Sequence, residues 1–218
     1  MCGRFNITDH PGVYDLCEAL GVPAPKPNFN IAPGAQADVV IKHGHNQLVS
    51  GYWSMLMEAH PDRPDHLRPN PKYKTFNAQS RRLTSSSLWH DAYQQQRCIV
   101  PMSGFYEWKG GQCHYIQPAD GSAFAMAGLY RQQMIQGQVV TSFSVITLPP
   151  QPEFCHIHDK SYPFALLPEE YELWLDNSQC QATEFQHWMD GGIRQAISIE
   201  AMNSPHRDPK EPGQMSFI

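Results

Sequence analysis

The chain reads as one α+β domain, residues 1–218, built on an antiparallel, barrel-like β core with short helices around it. Three observations carry this. Strand signals crowd the middle of the chain, at 97–101, 104–109, 112–117, 123–130 and 138–147. They follow one another closely, with Gly110-Gly111 forming a tight hairpin turn between the second and third. Helical patterns are few and short, and they do not alternate with strands as a βαβ fold requires.

The elements follow in order. Thr8 or Asp9 is placed to cap a helix whose apolar residues Val13, Leu16, Cys17 and Leu20 keep helical spacing and stop at Gly21. The proline-rich stretch 23–27 then acts as a linker. Apolar runs at 37–42 and 47–53 flank His43-Gly44-His45-Asn46 and predict a hairpin. Between 55 and 75 no periodicity emerges and prolines recur at 61, 64, 69 and 71, so the expectation is a long loop, which in a compact domain is usually functional or disordered. Serines 85–87 are placed to cap a helix carrying Leu88, Trp89, Ala92 and Tyr93. Short helices at 168–175 and 182–189 and a last strand near 194–200 complete the set, and the tail from about 206 reads as peripheral.

Composition narrows the class. Hydrophobic residues make up 41% and charged residues 17%, the balance of an ordinary globular chain. There is no apolar run long enough to span a bilayer and no basic-then-apolar signal peptide, so the expected setting is the cytoplasm, away from membranes. Its six cysteines, at 2, 17, 98, 113, 155 and 180, are then expected to be thiols. No C-x-x-C pair occurs, and Cys155-His156-Ile157-His158 lacks a second ligand cluster, so neither a metal nor another cofactor is expected. A net charge of −5 argues against indiscriminate coating of nucleic acid. Yet Arg63, Arg68, Lys72, Lys74, Arg81 and Arg82 face only Asp62 and Asp65 across one short strip, which suits either a local phosphate groove or a solvated loop.

The chemistry starts at Met1-Cys2-Gly3-Arg4-Phe5. A small residue after the initiator methionine lets that methionine be removed, leaving Cys2 as a terminal 1,2-aminothiol. Its α-amine, with a reference pKa of about 7.7–8.0, is partly neutral at cellular pH and can attack an aldehyde. The adjacent thiol, as its thiolate, then closes a thiazolidine ring on the imine. The plain alternative is a translation start followed by a small buried residue.

Three further residues suit such chemistry. Glu107, in Gly104-Phe105-Tyr106-Glu107-Trp108-Lys109, shares a strand face with Phe105 and Lys109. It is either a solvent-facing residue of an edge strand or a desolvated carboxyl able to work as acid or base. His158 lies in a loop after the strand ending near Thr147 and is either a surface histidine or a proton shuttle. Asn77, in Thr75-Phe76-Asn77-Ala78-Gln79, either caps a turn or holds a carbonyl or sugar hydroxyl.

Together with Asn30-Ile31-Ala32-Pro33-Gly34, these stretches occur in the order and approximate spacing of the SOS-response-associated peptidase (SRAP) family, whose members are abasic-site processing proteins. The chain resembles that family from residue 1 to about 205. The resemblance implies a single SRAP-like domain, expected to be monomeric, that crosslinks itself to abasic sites in single-stranded DNA, with self-processing peptidase and associated lyase activity. Cys2 would be the nucleophile once Met1 is gone, and Asn77 would position the terminus and the opened sugar. Glu107 would manage protons, and His158 would assist opening of the deoxyribose. Arg4, Asn30, Lys72, Lys74, Gln79, Arg81, Arg82 and Lys160 would contact DNA, with Trp53 and the loop after it near the unpaired bases. The chain departs from the family pattern at Gln79, usually arginine, and at Arg81, usually glutamate. It departs again at His158-Asp159-Lys160-Ser161-Tyr162-Pro163, longer by one residue before the proline. Two alternatives stand beside this. N-terminal-nucleophile glutamine amidotransferases also begin Met-Cys-Gly, although their Gly-His-x-Arg-x-Ala-Thr segment is missing here. A non-catalytic reader of damaged or modified DNA, with Cys2 structural, is the other.

Overall fold

The computed structural model describes residues 2–178, 182–203 and 205; Met1 and the tail from about 206 lie outside them. Strands β1 (Phe5–Ile7), β2 (Asn28–Ile31), β3 (Gln36–His43) and β4 (His45–Trp53) open the chain. A small hairpin follows, β5 (Met57–His60) and β6 (Arg63–Pro69), then the three-residue β7 (Asn77–Gln79). The middle of the chain holds β8 (Arg97–Met102), β9 (Gly104–Lys109), β10 (Gln112–Pro118), β11 (Phe124–Ile135) and β12 (Gln138–Leu148). Two-residue strands β13 (Tyr162–Pro163) and β14 (Ala165–Leu166) precede the last, β15 (Ile197–Met202). The α-helices are short: α1 (Pro11–Ala19), α2 (His90–Gln95) and α3 (Tyr171–Leu175).

The expected α+β class with a barrel-like core is what forms. Five strands close on themselves: β3 pairs β4, β4 pairs β12, β12 pairs β11, β11 pairs β8, and β8 returns to β3 through Val40↔Ile99. Closure removes the sheet edges that an open sheet leaves unpaired. Val39, Val40, Ile99, Val100, Leu129, Phe143 and Val145 are buried in the core. One junction departs from the antiparallel expectation, since β12 runs parallel to both β4 and β7. The second sheet, ordered β15-β10-β9-β1-β2, places the first strand of the chain beside the strand of Glu107. Its pairing is tight around Gly104, where a Cβ would stand 2.5 Å from the Tyr115 ring, so that position admits only glycine.

Several local expectations are corrected. Helix α1 is capped by His10, whose Nδ1 accepts from the Gly12 amide at 3.1 Å, and not by Thr8 or Asp9. Gly21, at φ 66°, ends that segment as expected. The stretch 55–75 is not a structureless loop but carries the β5–β6 hairpin, registered Met57↔Pro69 and Glu58↔Arg68. Its prolines are tolerated because a two-stranded ladder leaves every residue on an edge. The serine run does not cap α2; a turn intervenes, and the helix starts at His90 with Trp89 at the cap. Residues 182–190 form a 3-10 helix, and the last strand runs from 197 to 202.

Buried Arg97 ties the helical layer to the barrel. Its guanidinium donates to the carbonyls of Trp174 (2.7 Å), Tyr93 (3.0 Å), Gln94 (2.8 Å) and Asp176 (2.7 Å), and it stacks 4.9 Å from the Phe185 ring centroid. Replacing it by methionine strands those carbonyls. Arg97→Met is expected to cost roughly 3–5 kcal/mol and lower the thermal midpoint by about 10 °C. A calorimetric loss below about 1 kcal/mol would refute this account of the layer.

Candidate active site around Cys2

Strand β1 brings the chain start into the molecule. Phe5 pairs with Ile31 on one side and Phe105 on the other, and the Tyr106 amide donates to the Arg4 carbonyl at 2.8 Å. Cys2 is therefore fully buried. Its thiol donates weakly to the Arg4 carbonyl at 3.9 Å. Burial pushes that thiol well above its usual range, and the charge of Glu107 pushes it the same way.

Asn77 sits on β7, which adds parallel to β12 through Val145↔Asn77. Its Nδ2 donates to the Cys2 carbonyl at 2.8 Å across 75 residues of sequence. Its Oδ1 is buried and accepts no hydrogen bond among the described residues. A buried acceptor of this kind is open to a donor from a substrate or from the freed Cys2 amine.

Glu107 lies on β9, which is flanked by β1 and β10, so the edge-strand reading is excluded. Only 3% of its side chain is exposed, and its Oε2 lies 3.2 Å from Nδ1 of His158. Desolvation raises the carboxyl to about 7 and lowers the imidazole to about 4. Near neutrality the imidazole is therefore neutral and the carboxyl half protonated, so the pair shares hydrogen-bonding protons without forming a full ion pair. Lys109, one turn of the pleat away, donates to the Cys155 carbonyl and lies 3.7 Å from Asp159, which fixes the loop that presents His158. All four expected chemical residues thus meet at one place, from the segment just before β1, from β7, from β9 and from the loop after β12.

The expected DNA contacts divide. Trp53 is corrected: it is fully buried, its Nε1 donates to the Phe76 carbonyl at 2.8 Å, and its ring packs on Phe5 and Phe76, so it has no face to offer a base. Arg4 donates to Asn30 Oδ1, both half-buried near the chain start. Lys72, Lys74, Arg81, Arg82 and Lys160 are exposed. Gln79, Arg81 and Lys160 line a small cleft of about 60 Å³ together with Thr147 and Ser161. The hydroxyls of Thr147 and Ser161 are buried there without a hydrogen-bond partner among the described residues. Arg68, by contrast, is held by Glu58 through two bonds of 2.8 and 2.9 Å.

The sequence reading missed Thr147 and Ser161, for which no local signal existed. It also missed Tyr73, 60% exposed between Lys72 and Lys74, where an aromatic between two cations was the signal. Among the described residues no group of three or more His, Cys, Asp or Glu is gathered to hold a metal ion.

Within the pair Glu107 makes stability fall as pH rises, while the lowered His158 imidazole works the other way, costing stability as pH falls from about 6.5 towards 4. Unfolded, Glu107 titrates near 4.5; folded, near 7. Between those values the folded state keeps a proton that the unfolded state releases, so the contribution of this group falls as pH rises and is lost fully above about 7. Glu107→Gln removes that titration. Its stability relative to the parent is expected to rise by about 3 kcal/mol between roughly pH 5 and pH 8, several degrees in the thermal midpoint. A difference between the two proteins that does not change with pH would contradict the desolvated carboxyl.

Residues 1–204 match the family model described as SOS response associated peptidase (SRAP). The abasic site processing proteins YobE and YoaM of Bacillus subtilis are 26% and 25% identical to the chain. The alignments cover 94% and 97% of this chain and 97% and 96% of theirs. The abasic site processing protein HMCES of Xenopus tropicalis is 24% identical, over 85% of this chain and 65% of its own length. A crystal structure of a Bordetella bronchiseptica protein superposes with a TM-score of 0.73 at 18% identity, covering 93% of this chain and 100% of that one. One from Bacteroides thetaiotaomicron gives 0.71 at 17% identity, covering 92% of each chain. With a family-model match over residues 1–204, nearly its whole length, the chain belongs to the SOS response associated peptidase (SRAP) family.

Proposed function

We propose that this protein captures abasic sites in single-stranded DNA as a covalent adduct on Cys2, after hydrolysis of the Met1–Cys2 bond. The observation that carries the reading is the Asn77 hydrogen bond to the Cys2 carbonyl, made beside the Glu107–His158 pair. The names of the relatives, abasic site processing proteins, point the same way. All four residues come from one chain, which suits a monomer and a single functional unit.

The steps follow from the groups present. An abasic deoxyribose is a cyclic hemiacetal. His158, as a neutral imidazole, takes the C1′ hydroxyl proton and delivers it to the ring oxygen as the C1′–O4′ bond breaks, giving an aldehyde and a 4′-hydroxyl. The freed Cys2 amine adds to C1′. Glu107 protonates the carbinolamine hydroxyl, which leaves as water, and a proton from nitrogen returns to the carboxylate. A carboxyl titrating near 7 serves in both directions at neutral pH. The thiol then adds to the imine carbon and its proton passes to nitrogen, closing the thiazolidine. The imine also acidifies the C2′ proton, so elimination of the 3′ phosphate, a lyase reaction, competes until the ring closes.

Strand binding falls to the exposed cations. The cleft of Gln79, Arg81 and Lys160, with the hydroxyls of Thr147 and Ser161, suits a backbone phosphate. Tyr73 takes the base-stacking role that burial denies Trp53.

The decisive experiment incubates purified protein with single-stranded DNA bearing one abasic site and resolves the products under denaturing conditions. The wild type is expected to form an adduct and its intact mass to lack Met1, whereas Cys2→Ala forms none. An adduct in Cys2→Ala, or active protein that keeps Met1, sinks the mechanism. Glu107→Gln is expected to slow adduct formation roughly 100-fold and to abolish an inflection near pH 7 in the rate profile.

The binding assignments are tested separately by affinity. Tyr73→Ala is expected to weaken single-strand binding by about 1–3 kcal/mol. Arg81→Glu is expected to lower the salt slope of binding by about one phosphate contact. Affinities that stay unchanged across a salt titration would move the strand elsewhere on the surface.

A further inference from the structure

Strand pairing sets a second histidine beside Glu107. In the β9–β10 ladder His114 is the register partner of Glu107, so both side chains leave the sheet on one face with Cβ atoms about 5 Å apart. That face also carries Phe105 and Ile116 into the core. The His114 ring is half-buried, yet its Nδ1 is enclosed and has no hydrogen-bond partner among the described residues. An enclosed ring nitrogen without a partner asks for a physical reason. On its other side His114 pairs with Ala201 of β15, which is exposed. The ring is therefore partly open to solvent and is the cross-strand neighbour of a carboxyl that is only 3% exposed.

We infer that His114 passes protons between Glu107 and solvent. The inference rests on the proton-handling role proposed for Glu107. In that role the carboxyl must already carry a proton when the carbinolamine forms, and its burial leaves it little contact with water from which to draw one. An imidazole takes a proton from water at one ring nitrogen and releases one from the other, so no net charge is left in the site. The charged and titratable groups facing it are few. From β9 they are Glu107 and, diagonally, Lys109; the β15 positions on that face, Ile199 and Ala201, carry no charge. Glu200 pairs with Tyr115 and points to the opposite face. The adjoining loop contributes His158 beside Glu107 and Asp159 beside Lys109. His114 is a positioning residue for protons that acts through Glu107.

The test is single-turnover adduct formation by the full chain on abasic single-stranded DNA, from about pH 5.5 to 8.5, with and without added imidazole. His114→Ala is expected to be slowed roughly tenfold with unchanged DNA affinity, and free imidazole to restore most of the rate. His114→Phe, which fills the space, is expected to be slow and not rescued. His114→Gln keeps a polar side chain without an imidazole and replaces the alanine variant if that one does not fold; its slowing with a changed pH profile supports the relay. Wild-type rates in the alanine or glutamine variant across the pH range overturn the inference while leaving the proposed function standing. A folded but slow alanine variant that imidazole does not rescue overturns it too, by making the role structural. If the wild type itself forms no adduct, the proposed function fails and the relay falls with it.

Discussion

The site depends on how Trp53 is packed. The indole ends β4, where that strand joins β12, and lies edge-on to Phe5 at 4.8 Å and to Phe76 at 5.8 Å. Its Nε1 is satisfied by the Phe76 carbonyl. Phe5 is three residues from Cys2, and Phe76 is next to Asn77. One buried ring therefore sets the distance between two segments that are otherwise held by unrelated sheets. Buried aromatics contribute large apolar area with specific edge-to-face geometry. A smaller side chain at 53 would leave a cavity at the point where the chain start meets the barrel.

Around that junction the chemistry follows from exclusion of water. Cys2, Asn77 and Glu107 are all nearly sealed, and His158 is only slightly open at 11% of its side chain. Desolvation disfavours each charged form, so the thiol is held protonated, the carboxyl rises towards neutrality and the imidazole falls away from it. The result is a set of neutral groups joined by hydrogen bonds, able to exchange protons without creating isolated buried charge. The basic residues lie on the exposed surface, where phosphates can reach them: Lys72, Lys74, Arg81 and Lys160 are all exposed. The exposed cations and the sealed polar groups thus occupy different dielectric environments.

The hairpin β5–β6 shows how a sequence of polar residues and prolines still folds. Glu58 accepts from Arg68 and from Asn70, so side chains tie the ladder at its polar pair, between the apolar pairs Met57↔Pro69 and Ala59↔Leu67. Asn70 in turn accepts from the Lys72 amide, and Thr75 bonds Ser54 and the Leu56 amide. These bonds anchor both ends of the segment that displays Tyr73 just before Asn77. No periodicity marks them, because each bond joins a unique pair of polar groups and none repeats along a face.

Local pattern alone determined the barrel strands, the hairpin turn at Gly110-Gly111 and the α1 stripe of Val13, Leu16 and Cys17, while Cys2, Asn77, Glu107 and His158 are singled out together only by the order and spacing of their stretches, which resemble those of the SRAP family. Alternation, turn chemistry and side-chain type are properties of neighbouring residues, so they can be read without knowing what packs where. Only the tertiary structure decided whether Glu107 met water, whether Trp53 faced a base or the core, and that Thr147 and Ser161 share a cleft with Arg81 and Lys160. Burial and partnership depend on contacts across tens of residues, such as the 75 that separate Asn77 from Cys2. The parallel pairing of β7 with β12 belongs to the same class, since a three-residue strand carries too little pattern to announce its partner.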